Sequence, residues 1–332
     1  MLENLKKYLR TVDWLDSKIP FMLSIALFLY VFGNECLQGS ELYLKLVAFF
    51  LYTSMFLAFS YVINDFTDID VDIKAGKQKV MHQISKASVV ISMLIIISIG
   101  VIPMLLLVEN KGIYIGYSVF LYLTGAAYSV RWLFRFKERG VAGLIECSVA
   151  QKCLPLVPLM FIFDVKWYYV ALFMVISFVN GLRYILIHQA VDYENDIKSG
   201  VKTYVSEGNN KYKSAIIAAF IIECALMLSL FIRLGLTYYF VFAVLVAYCI
   251  SEKIISIVVM KYMNVDWFCT FLAVPLELLY NVVFPILMAI VITIQNSIMV
   301  GVLVFLAILT ANCFKGKMAF INVYVKSKLR QG

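Results

Sequence analysis

Residues 43–72 read YLKLVAFFLYTSMFLAFSYVINDFTDIDVD. The first part, 43–64, is an apolar run long enough to cross a hydrocarbon core of about 30 Å as a helix. Four aspartates occupy the eight positions that follow this run. The stretch therefore predicts a transmembrane helix whose end places a row of carboxylates at one face of the membrane.

Apolar runs of similar length recur along the chain. The 332 residues are 63% hydrophobic and 15% charged, with a mean hydropathy of +0.88, whereas about a quarter of the residues of soluble domains are charged. Only helices and closed barrels satisfy every backbone hydrogen bond within lipid. We predict an all-α, polytopic transmembrane helical bundle of nine to ten spans. The candidate spans are 19–38, 43–64, 87–108, 112–131, 141–163, 167–190, 213–233, 236–260, 268–294 and 297–314.

The distribution of basic residues predicts the orientation of these spans. Most of the 29 lysines and arginines fall in the N-terminal segment, the C-terminal tail and the loops that follow even-numbered spans. The opposite loops hold only Lys45, Lys111, Lys166 and Arg233. By the positive-inside rule, both termini and the aspartate-bearing helix ends face the cytoplasm of a multi-pass cell-membrane protein. Because the basic residues lie in short loops between spans, the net charge of +8 does not indicate a nucleic-acid partner.

The sequence has no linker or shift of composition that would separate two bundles. We predict a cytoplasmic interfacial segment at 1–18, a single transmembrane domain at 19–314 and a basic cytoplasmic tail at 315–332. The stretch 268–294 contains Pro275 and Pro285, so it is expected either to span the membrane or to be broken or re-entrant. The seven cysteines have no metal-binding spacing, and neither disulfides nor zinc are expected.

A second acidic stretch, DYENDIKSGVKT, starts at Asp192 after the sixth span. Residues three and four apart share one face of a helix, so both acidic stretches form rows of like charges that repel one another. A divalent cation relieves this repulsion, and Mg2+ prefers oxygen ligands completed by water and phosphate. The metal ligands predicted from the two rows are Asn64, Asp65, Asp68, Asp72, Asp192 and Asp196. Asp70 points away from its row and is expected to be solvated.

Two acidic motifs in order, and a loop between them, resemble the UbiA superfamily of intramembrane prenyltransferases over about residues 20–235. They are NDxxDxxxD from Asn64 to Asp72, DxxxD from Asp192 to Asp196, and a tyrosine-plus-basic loop after the fourth span. That loop contains Tyr128, Arg131, Arg135 and Lys137, whose basic members are interchangeable candidates. The chain departs from the family in having a tenth predicted helix, where nine are usual. It also has Lys77-Gln78-Lys79-Val80 where many members have an Arg-Pro pair.

The resemblance implies a helical bundle around a central lipid-accessible cavity and a Mg2+-dependent reaction. An isoprenyl diphosphate would ionise to an allylic carbocation, which an aromatic or other lipophilic acceptor captures. The implied catalytic residues are Asp65, Asp68, Asp72, Asp192 and Asp196. The implied substrate-binding residues are Asn64, Lys79, Tyr128, Arg131, Lys137, Arg183 and Lys202.

Several alternatives stay open from the sequence. Arg183 lies nine residues before Asp192 and would contact an acceptor carboxylate, balance the acids from below, or pair with Glu146 or Glu277. A UbiA-type terpene cyclase would use the same motifs but capture the carbocation with a double bond of its own substrate. A transporter would use charges within the membrane, such as Arg183 and Lys152, as binding sites. Prenyl chain length, acceptor and oligomeric state are not encoded in any recognisable motif.

Overall fold

The fold is that of a computed structural model, which describes residues 2–33, 39–74, 76, 79–200, 202–207, 211–262, 276–311 and 313. Every regular element in these residues is a helix, which confirms the predicted all-α class. The helices are α1 (Leu2–Tyr8), α2 (Ile19–Phe32), α3 (Gly39–Thr67), α4 (Ile69–Lys74), α5 (Lys86–Leu107), α6 (Lys111–Ser129), α7 (Gly140–Ser148), α8 (Leu159–Ile162), α9 (Trp167–Val191), α10 (Tyr193–Ser199), α11 (Tyr212–Thr237), α12 (Phe240–Tyr262), α13 (Phe284–Gln295) and α14 (Ser297–Ala311).

Each predicted span overlaps a helix of the structure. Within the described residues, six helical stretches are long and apolar enough to cross a membrane, and the protein is accordingly a multi-pass membrane protein. They are Gly39–Thr67, Lys86–Leu107, Gly140–Ile162, Trp167–Val191, Tyr212–Thr237 and Leu276–Gln295. Ile19–Phe32, Phe240–Glu252 and Ser297–Ala311 are shorter apolar helices. The count of nine to ten spans stays a prediction. One end of each of the predicted spans 19–38, 268–294 and 297–314, and the tail at 315–332, lie outside the described residues.

The chain divides into two compact units, of which the first comprises Met1–Trp14 and Leu29–Glu223. Here α3 packs against α5 and α6, and α7 packs against α9. The apolar part of α3 is 72% buried, compared with 28% for α5. This difference makes α3 the central helix of the unit and leaves most of α5 available to lipid. Both acidic rows belong to this unit.

Helices α7 and α9 approach closely at Gly181. A Cβ atom added to Gly181 would lie 2.9 Å from both Cα and Cβ of Ser148, which is closer than carbon atoms pack. Glycine is therefore required for this distance between the two helix backbones.

Replacement of Gly181 by alanine is expected to lower the free energy of unfolding by about 1–3 kcal/mol, because α9 must move away from α7. Thermal unfolding in detergent measures the change. Gly116→Ala is the matched control, since a Cβ at this helical position meets no atom within 4 Å. Equal melting temperatures for the two variants would show that the close approach at Ser148 is not required.

The second unit comprises Leu15–Phe28 and Cys224–Gly332. Its core contains an aromatic cluster in which the Phe284 ring lies 6.0 Å from those of Phe21 and Phe231 and 6.5 Å from that of Phe28. A π-helical turn, Leu279–Val283, precedes α13, whose second residue is Pro285. Proline has no N–H and its ring crowds the carbonyl four residues earlier, so the helix widens there. The helix widens at this turn but runs without interruption from Leu276 to Gln295. Residues 268–275 lie outside the described part, so whether 268–294 spans the membrane or is broken or re-entrant stays open. The single-domain assignment stays a prediction.

Candidate active site

The first acidic row forms where α3 passes into α4. The helical hydrogen bonds continue across the junction, with Asp68 N donating to Asn64 O at 3.1 Å and Asp72 N donating to Asp68 O at 2.8 Å. This register stacks the three side chains on one face, as the spacing predicted. Asp65 and Asp72 are buried, whereas Asp70 is exposed, in agreement with its predicted position off the row.

Lys79 lies between two carboxylates of this row. Its Nζ is 2.7 Å from Asp65 Oδ1 and 2.7 Å from Asp72 Oδ2. Burial lowers the pKa of Lys79, but hydrogen bonds and charge interactions with the two aspartates outweigh burial and hold the pKa above its ordinary value. The two carboxylates therefore bracket one position that is suited to a cation.

The loop after α6 supplies two more cations to the row. Lys137 Nζ lies 2.6 Å and 2.5 Å from the two oxygens of Asp68 and donates to Asn64 Oδ1 at 3.0 Å. Arg135 Nη2 is 3.3 Å from Asp68 Oδ1. Burial holds the pKa of Lys137 below its ordinary value, although the charge of Asp68 raises it. Of the interchangeable candidates, Arg135 and Lys137 reach the acids, while Arg131 is exposed and forms no ion pair with another described residue.

The second acidic row continues across the junction of α9 and α10. Asp192 N donates to His188 O at 3.0 Å, and Asp196 N donates to Asp192 O at 2.9 Å. His188 Nδ1 also lies 3.0 Å from Asp192 Oδ2. Gly200 ends α10 with a φ of 69°, which turns the chain so that the Thr203 hydroxyl donates to Asp196 Oδ2 at 3.2 Å. Thr203 is the final residue of the second acidic stretch, DYENDIKSGVKT, and its contact orients a predicted ligand.

Across the described ranges, no group of three or more His, Cys, Asp or Glu side chains is arranged to hold a metal ion. The first row nevertheless fits a cation, because its oxygens already coordinate the Lys79 ammonium from two sides. The roles predicted for the six ligands therefore stay predictions.

The remaining predicted substrate-binding residues are Lys202, Tyr128 and Arg183. Lys202 is exposed and has no ion pair with another described residue. The Tyr128 hydroxyl is hydrogen-bonded to Cys147 and lies near the carboxylate of Glu146. Arg183 is only 1% exposed, and its role, like those of Lys202 and Tyr128, stays a prediction.

Arg183 forms a buried pair with an acid that sequence reasoning did not single out. Its Nε lies 2.6 Å from Glu223 Oε2 and its Nη2 lies 3.3 Å from Oε1 of the same residue. Asn180 Nδ2 donates to Glu223 Oε1 at 2.7 Å. The signal was present, since an acid within the apolar stretch of α11 requires a partner.

A fourth cation at the first row comes from the N-terminal segment. Arg10 Nη1 lies 3.3 Å from Asp65 Oδ1. No motif indicated this contact, because Arg10 was predicted only as part of an interfacial segment. The first row is thus contacted by Arg10, Lys79, Arg135 and Lys137, which come from three separate loops or segments.

A multi-pass helical fold, in which basic residues of adjoining segments pair with acidic residues at a helix end, defines a membrane protein with a charged cluster at the end of one of its helices. The profile of the UbiA prenyltransferase family matches residues 22–258. The chain belongs to this family, as the motifs predicted. No curated protein matches the chain.

Solved structures of UbiA homologs have the same fold. The homolog from Archaeoglobus fulgidus bound to GPP and Mg2+ is 17% identical, with a TM-score of 0.55 over 85% of this chain and 98% of that chain. The same homolog bound to DMAPP and Mg2+ has a TM-score of 0.54 at 17% identity over 84% and 96%. The apo homolog from Aeropyrum pernix K1 has a TM-score of 0.55 at 14% identity over 80% and 96%. At these identities the likeness establishes the fold alone.

Proposed function

We propose that the protein is a Mg2+-dependent enzyme that transfers an isoprenyl group from a polyprenyl diphosphate to an aromatic or other lipophilic acceptor. The observation that carries the proposal is the first acidic row, where three carboxylates of one helix end are contacted by four basic side chains. A metal-bound diphosphate requires both kinds of ligand in one place. The Archaeoglobus homolog, bound to Mg2+ with DMAPP or GPP, supports the same chemistry.

The proposed metal ligands are the six residues of the two rows. Asp65 and Asp72 would hold a cation at the position where they now contact Lys79. Asn64 and Asp68 would add oxygen ligands from the same row. Asp192 and Asp196 would add ligands from the second row. When bound, Mg2+ neutralises the negative charge that develops on the departing diphosphate. The two rows can hold Mg2+ because their carboxylates supply the anionic oxygen ligands that this ion prefers.

The basic residues are proposed to bind the diphosphate itself. A cation on the carboxylates would release Lys79, Lys137 and Arg135 from their present partners, and phosphate oxygens are suitable replacements. The Lys137 ammonium already contacts both oxygens of Asp68, so it is oriented toward an anion at this position. Cations already oriented toward the leaving group stabilise the transition state without reorganisation.

The allylic carbocation that remains would be captured in the apolar part of the first unit. We propose that the aqueous edge of the site faces the cytoplasm of the cell membrane, as the basic loops indicate. The transporter alternative would use Arg183 as a binding site within the membrane, and in the structure the Arg183 guanidinium is paired with Glu223. A cyclase would also ionise the diphosphate, and only its cyclic products would distinguish it from a transferase.

Ionisation is tested with purified protein in nanodiscs, Mg2+ and radiolabelled geranyl, farnesyl or geranylgeranyl diphosphate. We expect Asp192→Ala and excess chelator each to lower diphosphate release by about a hundredfold or more. Asp164→Asn removes an exposed acid from a loop at the opposite ends of the helices and is expected to retain activity. Release that depends on an added acceptor supports the transferase, and cyclic products without acceptor identify a cyclase. Absence of turnover of every diphosphate, with native lipid extract present, would refute the proposal.

A further inference from the structure

The N-terminal segment is folded against the helix end that carries the first acidic row. The Tyr8 hydroxyl is hydrogen-bonded to Ser92 Oγ of α5. The Tyr61 hydroxyl of α3 donates to Asp13 O at 3.5 Å. Trp14 is buried, with 3% of its surface exposed. These contacts attach the segment to α3 and α5 and place Arg10 beside Asp65.

Arg10 is positioned by contacts that do not depend on Asp65. Its Nε donates to Asp13 Oδ2 at 2.7 Å, and its guanidinium carbon lies 4.9 Å from the centre of the Tyr61 ring. The 3.3 Å contact with Asp65 is longer than the contact with Asp13. Loss of the Asp65 contact would therefore leave the guanidinium held at the same place.

The backbone at Arg10 also has an unusual conformation. Within the described part of the chain, the non-glycine residues with positive φ are Arg10 at 50°, Phe134 at 133° and Arg135 at 49°. The left-handed region is unfavourable for such residues, and it occurs preferentially at functional sites. Both arginines that contact the first row thus have this conformation.

Asp65 Oδ1 already accepts from two cations, Lys79 at 2.7 Å and Arg10 at 3.3 Å. A divalent ion bound to the same oxygen would repel both. Arg10 would stay at the edge of the site through Asp13 and Tyr61, with its Nη donors released. A planar guanidinium with free donors is well suited to phosphate oxygens.

We propose that Arg10 is a further diphosphate-binding residue, supplied by the N-terminal segment, and that it exchanges Asp65 for the substrate diphosphate when a divalent cation binds. Asp13 is its positioning residue. This inference rests on the proposed function. The N-terminal segment would then be part of the substrate site as well as an element at the membrane surface.

The test measures two binding reactions of the full-length protein in nanodiscs. Binding of Mn2+ alone, followed by electron paramagnetic resonance, reports the carboxylate row. Binding of unreactive geranyl thiolodiphosphate with Mg2+, followed by equilibrium dialysis, reports the diphosphate contacts. For Arg10→Ala we expect about tenfold weaker binding of the analogue, from the loss of a charge-assisted hydrogen bond. Binding of Mn2+ should be unchanged or tighter, because a competing cation has been removed from Asp65.

Three further variants separate the local contact from general charge and folding effects. Lys6→Ala removes one positive charge from an exposed position of the same segment and should bind the analogue as the wild type does. Arg10→Lys keeps the charge but loses the fork geometry, and an intermediate affinity is expected. Asp13→Asn should weaken analogue binding about threefold, and this effect should disappear in the Arg10→Ala background, as a positioning role requires.

The remaining outcomes overturn the inference. Unchanged analogue binding in Arg10→Ala would exclude a diphosphate contact. If Arg10→Ala weakened Mn2+ binding and analogue binding equally, Arg10 would be a structural support of the row. If the variant strengthened both equally, Arg10 would only compete with the metal ion for Asp65. If the wild type itself shows no Mg2+-dependent binding of the analogue, the proposed function fails, and the inference fails with it.

Discussion

Replacement of Asp68 by asparagine is expected to lower Mg2+-dependent diphosphate release by about a hundredfold or more, because the charge that attracts the cations at the first row is reduced. Asp68 is the most extensively paired acid of this row, with both oxygens contacted by Lys137 and one by Arg135. Asparagine keeps the size of the side chain, so the stacking on α3 and α4 is retained. Initial rates with radiolabelled geranylgeranyl diphosphate at saturating Mg2+ measure the effect.

The matched control for this variant is Asp70→Asn. Asp70 lies two residues further along the same stretch but is exposed and off the row. The control removes an equal charge, and its activity is expected to stay within about twofold of the wild type, as for surface substitutions. If Asp68→Asn were as active as Asp70→Asn, the first row would not be the site of ionisation.

The second large effect is expected at the buried pair of Arg183 and Glu223. Glu223→Leu should lower the free energy of unfolding by about 3–5 kcal/mol, because Arg183 loses the carboxylate that compensates its buried charge. Both side chains are almost inaccessible, at 1% and 0% exposure. The loss appears as a lower melting temperature in thermal unfolding of the detergent-solubilised protein.

The double variant Arg183→Leu, Glu223→Leu is the control for this prediction. Replacing both members of a buried pair with apolar residues is often neutral, so most of the lost stability should return. Purely additive losses would show that the two side chains are not coupled. The double variant also tests the predicted substrate role of Arg183, since a stable protein with normal ionisation but impaired transfer would indicate an acceptor contact.

The helices and the two acidic rows were predictable because they depend on local sequence. Hydropathy over about 20 residues predicts a span, and the spacing of Asn64, Asp68 and Asp72 places them on one helical face. The structure keeps this register through the junction of α3 and α4. The Asp192 and Asp196 pair follows the same rule, and the two acidic motifs in order, with the basic loop between them, were sufficient to predict the family.

The partners of those rows required the tertiary structure. Sequence reasoning left Arg131, Arg135 and Lys137 interchangeable, because their loop contains left-handed residues at Phe134 and Arg135 that no periodicity predicts. Arg10 reaches Asp65 across 55 positions of sequence. Glu223 meets Arg183 from a different helix, across 40 positions.

The sequence by itself thus determined the all-α membrane class, the two carboxylate rows and the family. The tertiary structure alone decided which basic side chains contact the first row and that Arg183 is paired with Glu223. The physical reason is the range of the interactions. Helical register and hydropathy act over a few turns of one segment, whereas ion pairs between segments depend on loop conformation and helix packing.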